Sequence, residues 1–296
     1  MNRKLVLILS VFIACVVFAG GGYFFFFKKT NNVNPVSVEA APTKIYEEKH
    51  ESTKIKDQVE SFIQKADKKD ESEVSKQKQF RMFLGNPLSI NEFNISKNAF
   101  AENLKKLEAI NLPTDQKNAL MVGLKKIFDI DAMYENYLKK LYENFSEKEL
   151  AELNEVYSNP MVVRAVEAEQ SLQTPEGQKE FMDFVSHLSE HPLSEERKKM
   201  LKTLDNSIGM TTQASLMFNQ MMDVMGAVNP HTNSSKDENK ALQQMMNDKI
   251  NEIVMLNLAK SNNQFSDEQL AQLIQLRSNP AAVKEKKLRV DNYREF

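Results

Sequence analysis

The residues best suited to chemistry stand at His187-Leu188-Ser189-Glu190-His191. They match His-x-x-Glu-His, the inverted zinc-protease pattern. On a helix, His187 and His191 share one face and can hold zinc, with Glu190 as base. Pro192 follows at once and disfavours helical geometry at His191, so the pair sits at a helix end. The plain alternative is a helix C-terminus bearing two favourable imidazoles. A second cluster comprises Met200, Met210, Met217, Met221, Met222, Met225, Met245, Met246 and Met255. Thioethers at i, i+4 and i+8, as in Met217, Met221 and Met225, suit Cu(I). With Phe218, Met222, Met245 and Met246 they could instead line an adaptable groove for apolar segments. The plainest reading is a core filled with methionine. Carboxylates are abundant but form no distinct catalytic pair, and there is no Gly-rich phosphate loop and no nucleophile elbow. No cofactor is expected.

The elements that must position these residues are announced by a repeat. Phe145-Ser146-Glu147-Lys148-Glu149-Leu150-Ala151-Glu152-Leu153 runs on to Ser158-Asn159-Pro160. Phe265-Ser266-Asp267-Glu268-Gln269-Leu270-Ala271-Gln272-Leu273 runs on to Ser278-Asn279-Pro280. Of the 20 positions aligned between 145–164 and 265–284, 9 are identical, against about one or two by chance. Ser146 with Glu149 is a capping box, and Ser266 with Gln269 repeats it. Phe145 and Phe265 precede the caps, where an apolar residue can staple onto Leu150 or Leu270. Leu150, Leu153 and Val156 form an amphipathic stripe, as do Leu270, Leu273 and Leu276. Pro160 ends the helix near Ser158 and can open the next one, capped by Asn159. Each copy therefore encodes two short helices and the corner between them.

Other start signals surround the repeat. Ser96 is expected to cap a helix with Phe100, Leu104 and Leu107 on one face. Thr114 is expected to cap the next, and Asp131 to open another. Thr174-Pro175-Glu176-Gly177 restarts the chain with Pro at the first helical position. Leu112-Pro113-Thr114 resembles Pro192-Leu193-Ser194, with Leu120, Leu124 and Phe128 matching Met200, Leu204 and Ile208 at an offset of 80 rather than 120. The second unit should therefore carry about 40 extra residues. The expected organisation is two related helical lobes, 96–190 and 191–296, the second ending in a frayed helix at Lys284–Arg289.

The pattern Phe-Ser-x-x-Glu-Leu followed by an aromatic-Ser-x-Pro corner resembles an uncharacterised family of exported bacterial all-helical domains. Its members read Phe-(Ser/Thr)-x-x-Glu-Leu … Phe-Tyr-x-Ser-Pro-x-Gly. The matching residues are Phe145, Ser146, Glu149, Leu150, Tyr157, Ser158 and Pro160, with Val162 where the family has Gly. Thr174-Pro175-Glu176-Gly177 is similar to the same corner with its Gly retained. The resemblance implies an exported, all-helical domain and no particular activity.

The N-terminus points to the same compartment. Leu5–Phe27 is 23 residues without a charge. At about 1.5 Å per residue it spans a hydrocarbon core of about 30 Å. Residues 1–4 then lie in the cytoplasm and the bulk is exported to the periplasm. The rival is a signal peptide cleaved after Val17-Phe18-Ala19. Residues 30–45 read as a linker, and 28–95 as a whole as linker and charged helical stalk. The lone Cys15 lies within the apolar run, so no internal disulfide forms. Net charge is −2, which excludes the basic excess of a nucleic-acid binder. Gly is scarce, Trp is absent, and Leu, Lys, Glu and Gln are abundant, favouring helix. The expectation is an all-α, single-pass inner-membrane protein with a duplicated helical bundle. Its partners are the membrane and another envelope protein, bound or scaffolded without catalysis. The alternative is a metal-dependent hydrolase at His187, Glu190 and His191.

Overall fold

A computed structural model describes residues 71–86, 104, 113–172, 174–228 and 236–295. The apolar run Leu5–Phe27 and the linker at 30–45 lie outside the described residues. So does the helix expected from Ser96, except Leu104, which packs partly buried against the core. Every described regular element is a helix: α1 (Glu71–Gly85), α2 (Thr114–Ile127), α3 (Ile130–Asn144), α4 (Glu147–Ser158), α5 (Pro160–Ser171), α6 (Pro175–Glu190), α7 (Glu195–Ile208), α8 (Met210–Val228), α9 (Lys236–Ser261), α10 (Asp267–Arg277) and α11 (Pro280–Glu295). None of them is long and apolar enough to cross a membrane.

The two copies of the motif fold alike because the same side chains satisfy the same backbone groups. Ser146 accepts from the Glu149 N–H, and the Glu149 carboxylate accepts from the Ser146 N–H at 2.8 Å. Ser266 and Gln269 repeat this, with Gln269 Oε1 at 3.0 Å from the Ser266 N. Asn159 Oδ1 accepts from the Met161 N–H at 3.0 Å and Asn279 Oδ1 from the Ala281 N–H at 2.8 Å. Pro160 and Pro280 open α5 and α11, where the missing N–H costs nothing. Phe145, Leu150 and Leu153 are buried, as are Phe265, Leu270 and Leu273.

The equivalence runs further than the motif. Shifted by 120 residues, the inward faces of α3 and the end of α9 coincide. Ile130, Met133, Tyr134, Tyr137, Leu138, Leu141 and Tyr142 are buried, and so are Ile250, Ile253, Val254, Asn257, Leu258, Ser261 and Asn262. α1 packs along α4 as α7 packs along α10, with Phe80 and Phe83 buried on α1 and Leu201 and Leu204 on α7.

The last helix of each copy is exchanged. α5 packs on α9 and α10, whereas α11 packs on α3 and α4, so the contacts cross the boundary expected at 190/191. The exchange is reciprocal down to single residues. The Arg164 guanidinium lies over the Phe265 ring at 5.1 Å, and the Lys284 ammonium over the Phe145 ring at 4.5 Å. Arg164 donates to Gln264 Oε1 at 3.2 Å, and Lys284 to the Asn144 carbonyl at 2.7 Å. These partners are 120 apart in every case. Arg277 over the Tyr157 ring, at 5.5 Å, pairs a position with its own counterpart. Such i-to-j, j-to-i contacts define an isologous interface, here within one chain.

Several expectations are corrected. α1 belongs to the body rather than to an exposed stalk, because Phe80 and Phe83 supply an apolar face within a highly charged segment. By packing, the counterpart of α7 is α1 and not α2, since α2 lies against α8. The second unit therefore carries no 40-residue insertion, and the similarity at offset 80 reflects the common grammar of helix starts. Lys284–Arg289 is not frayed: it lies inside α11, with Glu285, Arg289, Asn292 and Tyr293 buried against other elements. Thr114 is the first residue of α2, preceded by Pro113 without a side-chain cap. Asp129 rather than Asp131 caps α3, accepting from the Ala132 N–H at 3.1 Å.

Candidate functional site

α6 positions the histidine cluster. Thr174 Oγ1 accepts from the Gly177 N–H at 3.0 Å, and Pro175 opens the helix. Gly177 is required there. A Cβ on it would meet the Ser171 carbonyl oxygen at 1.8 Å, because the chain turns back tightly between α5 and α6. α6 ends at Glu190, and His191 is its C-cap, donating its N–H to the His187 carbonyl at 2.9 Å. Pro192 stops the helix at that point. His187, Glu190 and His191 therefore sit on one exposed face of the last turn. Their ligand atoms lie within 4.8 Å of one another, and the imidazole centroids are 4.6 Å apart. Two imidazoles and a carboxylate are the donor types that suit a borderline-soft divalent cation. Among the described residues no further His or Cys joins the group. His50 and His231 lie outside the described residues.

The methionine cluster is distributed differently. Met217, Phe218, Met221 and Met246 are buried in the core between α8, α9 and their neighbours, so these four fill the interior rather than line an open groove. Met222 is half-buried and Met245 is 51% exposed. Met225 lies within α8. Met200, Met210 and Met255 pack partly buried against the same core. Thioethers without a charged or imidazole partner are flexible core filler.

Sequence reasoning missed a buried polar network where α11 crosses α3. Glu285 accepts from Tyr137 Oη at 2.7 Å, from Tyr157 Oη at 3.2 Å and from Arg289 Nε at 3.3 Å. Arg289 also donates to Gln213 Oε1 at 2.8 Å and to the Ile208 carbonyl at 3.1 Å. Asn292 donates to the Met133 carbonyl at 2.8 Å and accepts from Asn136 at 2.7 Å. Burial, and then the Glu285 charge, push the Tyr137 phenol well above its ordinary pKa, so it remains a donor. Burial and a hydrogen bond to Glu73 push Tyr142 up to about 12. The signal available in sequence was Glu285 with Arg289 at i, i+4; nothing local revealed that both point inward. A buried pair of this kind is maintained by its partners and fixes register; Glu285 and Arg289 are each committed to several.

No protein-family model, curated protein or solved structure matches the chain.

Proposed function

We propose that this chain is a non-catalytic, membrane-anchored bacterial envelope protein that binds or scaffolds another envelope protein through its helical surface. The uncharged run Leu5–Phe27 supports the anchor, with the duplicated helical body in the periplasm. One observation carries the non-catalytic reading. The buried ionisable groups Tyr137, Glu285 and Arg289 are engaged with one another and with Tyr157 and Gln213 across the two copies. The raised pKa of Tyr137 thus has a structural cause, and the three groups hold the helices rather than await a substrate. The α8–α9 pair is the region we assign to the partner, with Met245 as its exposed apolar contact.

The rival reading, a metal-dependent hydrolase, is favoured by the compact His187, Glu190 and His191 group. One experiment separates them. A photoreactive residue at position 245 of the full chain, activated in intact membranes, should give one discrete crosslinked species. A probe at exposed Val122 on α2 serves as the control. Hydrolytic activity in the purified chain, lost in His187→Ala/His191→Ala, would sink the scaffold reading. Reporter fusions to the C-terminus should place it outside the cytoplasm.

A further inference from the structure

We propose that the C-terminal turn of α6 binds one divalent first-row transition-metal ion, held by His187, Glu190 and His191, without catalysing a reaction. The three side chains occupy positions i, i+3 and i+4 of one turn, the spacing that stacks residues on one helical face. Their ligand atoms already lie within 4.8 Å of one another, and a shared ion would draw them together by small side-chain rotations. The backbone is suited to this, because the His191 N–H still bonds to the His187 carbonyl at 2.9 Å. His191 is thus tethered to the helix although it is the first residue beyond it. The helix C-terminus also presents its negative dipole end to a cation.

The donor set selects the metal. Imidazole nitrogens favour Zn²⁺, Ni²⁺ and Cu²⁺, whereas Mg²⁺ and Ca²⁺ prefer all-oxygen shells. With three protein ligands, all exposed, the remaining positions go to water. The reading is independent of the scaffold proposal and gives the ion a mechanical role. α6 runs from the end of one copy of the repeated unit to Pro192 and α7, the start of the next. An ion bridging residues 187 to 191 would fasten the last turn of that connector and stiffen the corner.

The test uses the untagged full-length chain and titration calorimetry with Zn²⁺, Ni²⁺ and Mg²⁺. The expected result is one site for Zn²⁺ and Ni²⁺ and no Mg²⁺ binding. Zn²⁺ should raise the melting temperature of the native chain and leave that of His187→Ala/His191→Ala unchanged. Glu190→Gln should weaken Zn²⁺ roughly tenfold, the loss of one of three ligands. All three side chains are exposed, so circular dichroism of the variants should match the native chain. Absence of Zn²⁺ binding to the native chain overturns the proposal. So does Zn²⁺ binding that survives the double His substitution, which would place the ion elsewhere.

Discussion

The two copies differ most where their exchanged helices land. At one landing Tyr137 on α3 meets Glu285 on α11, and Arg289 completes the network. At the other, the counterpart of Tyr137 is Asn257 and the counterpart of Glu285 is Ala165, both buried. Among the described residues, neither polar atom of the Asn257 amide has a hydrogen-bond partner. Yet caps, corners and leucine stripes coincide in both copies. The frame is thus set by capping and apolar packing, and the polar filling is free to diverge. A buried ion pair is an embellishment of one landing, not a condition of the architecture.

The largest effect belongs to Leu153→Asp and Leu273→Asp, each placing a charge at a fully buried position. Each should cost at least about 4 kcal/mol and abolish the single cooperative melt of the whole body, followed by circular dichroism. If either leaves the other copy melting on its own, the exchange of α5 and α11 is not what joins them. Glu285→Ala comes next, since it leaves Arg289 buried beside uncharged partners. It should cost about 3–5 kcal/mol in urea unfolding, whereas Asn257→Leu should gain about 1 kcal/mol by removing an unpaired amide. The cap substitutions Ser146→Ala and Ser266→Ala should cost about 1 kcal/mol each, and nearly the same as each other.

The smallest effect is on the acid limb. Lys284, and then the Ser146 N–H, hold the Glu149 carboxyl below the usual glutamate range. A depressed folded pKa contributes stability that is fully present above the unfolded value of about 4.3 and is lost as pH falls through the folded one. In the other copy the same position is Gln269, which does not titrate. Glu149→Gln should therefore lower the melting temperature slightly near neutrality, where the native carboxylate is ionised and paired, and the two profiles should converge as pH falls below about 4.3.

What could be read in the sequence was whatever is local. Ser146, Asn159 and Pro160 announce a cap, a corner and a restart within a few residues, and all three perform those roles. The stripe Leu150–Leu153 identifies its buried face by period alone. Which copy receives a helix has no local signature, because it is decided by contacts with segments remote in sequence. For the same reason Glu285 and Arg289 read as solvent-facing charges until Tyr137 and Gln213 are brought to them from remote segments. α1 was obscured by its composition: Phe80 and Phe83 are a minimal apolar face among Lys, Gln, Glu and Arg. At the histidine cluster, the helix end and the shared face were legible from Pro192 and the i, i+4 spacing. The burial of Met217, Met221 and Met246 was not, since a flexible thioether suits core and groove alike.

The exchange also sets a timetable. As the chain is made, α1, α3 and α4 appear early, but α11, which also packs on α3 and α4, is the last of the described helices, roughly 120 residues later. At about 5–20 residues per second that is a delay on the order of ten seconds. Through that interval α1 can already lie along α4, but Tyr137 lacks Glu285 as its acceptor and α3 lacks the packing of α11. A nascent chain of this design depends on whatever shelters it until release, and a product truncated before Pro280 would leave its first half as incomplete as its second.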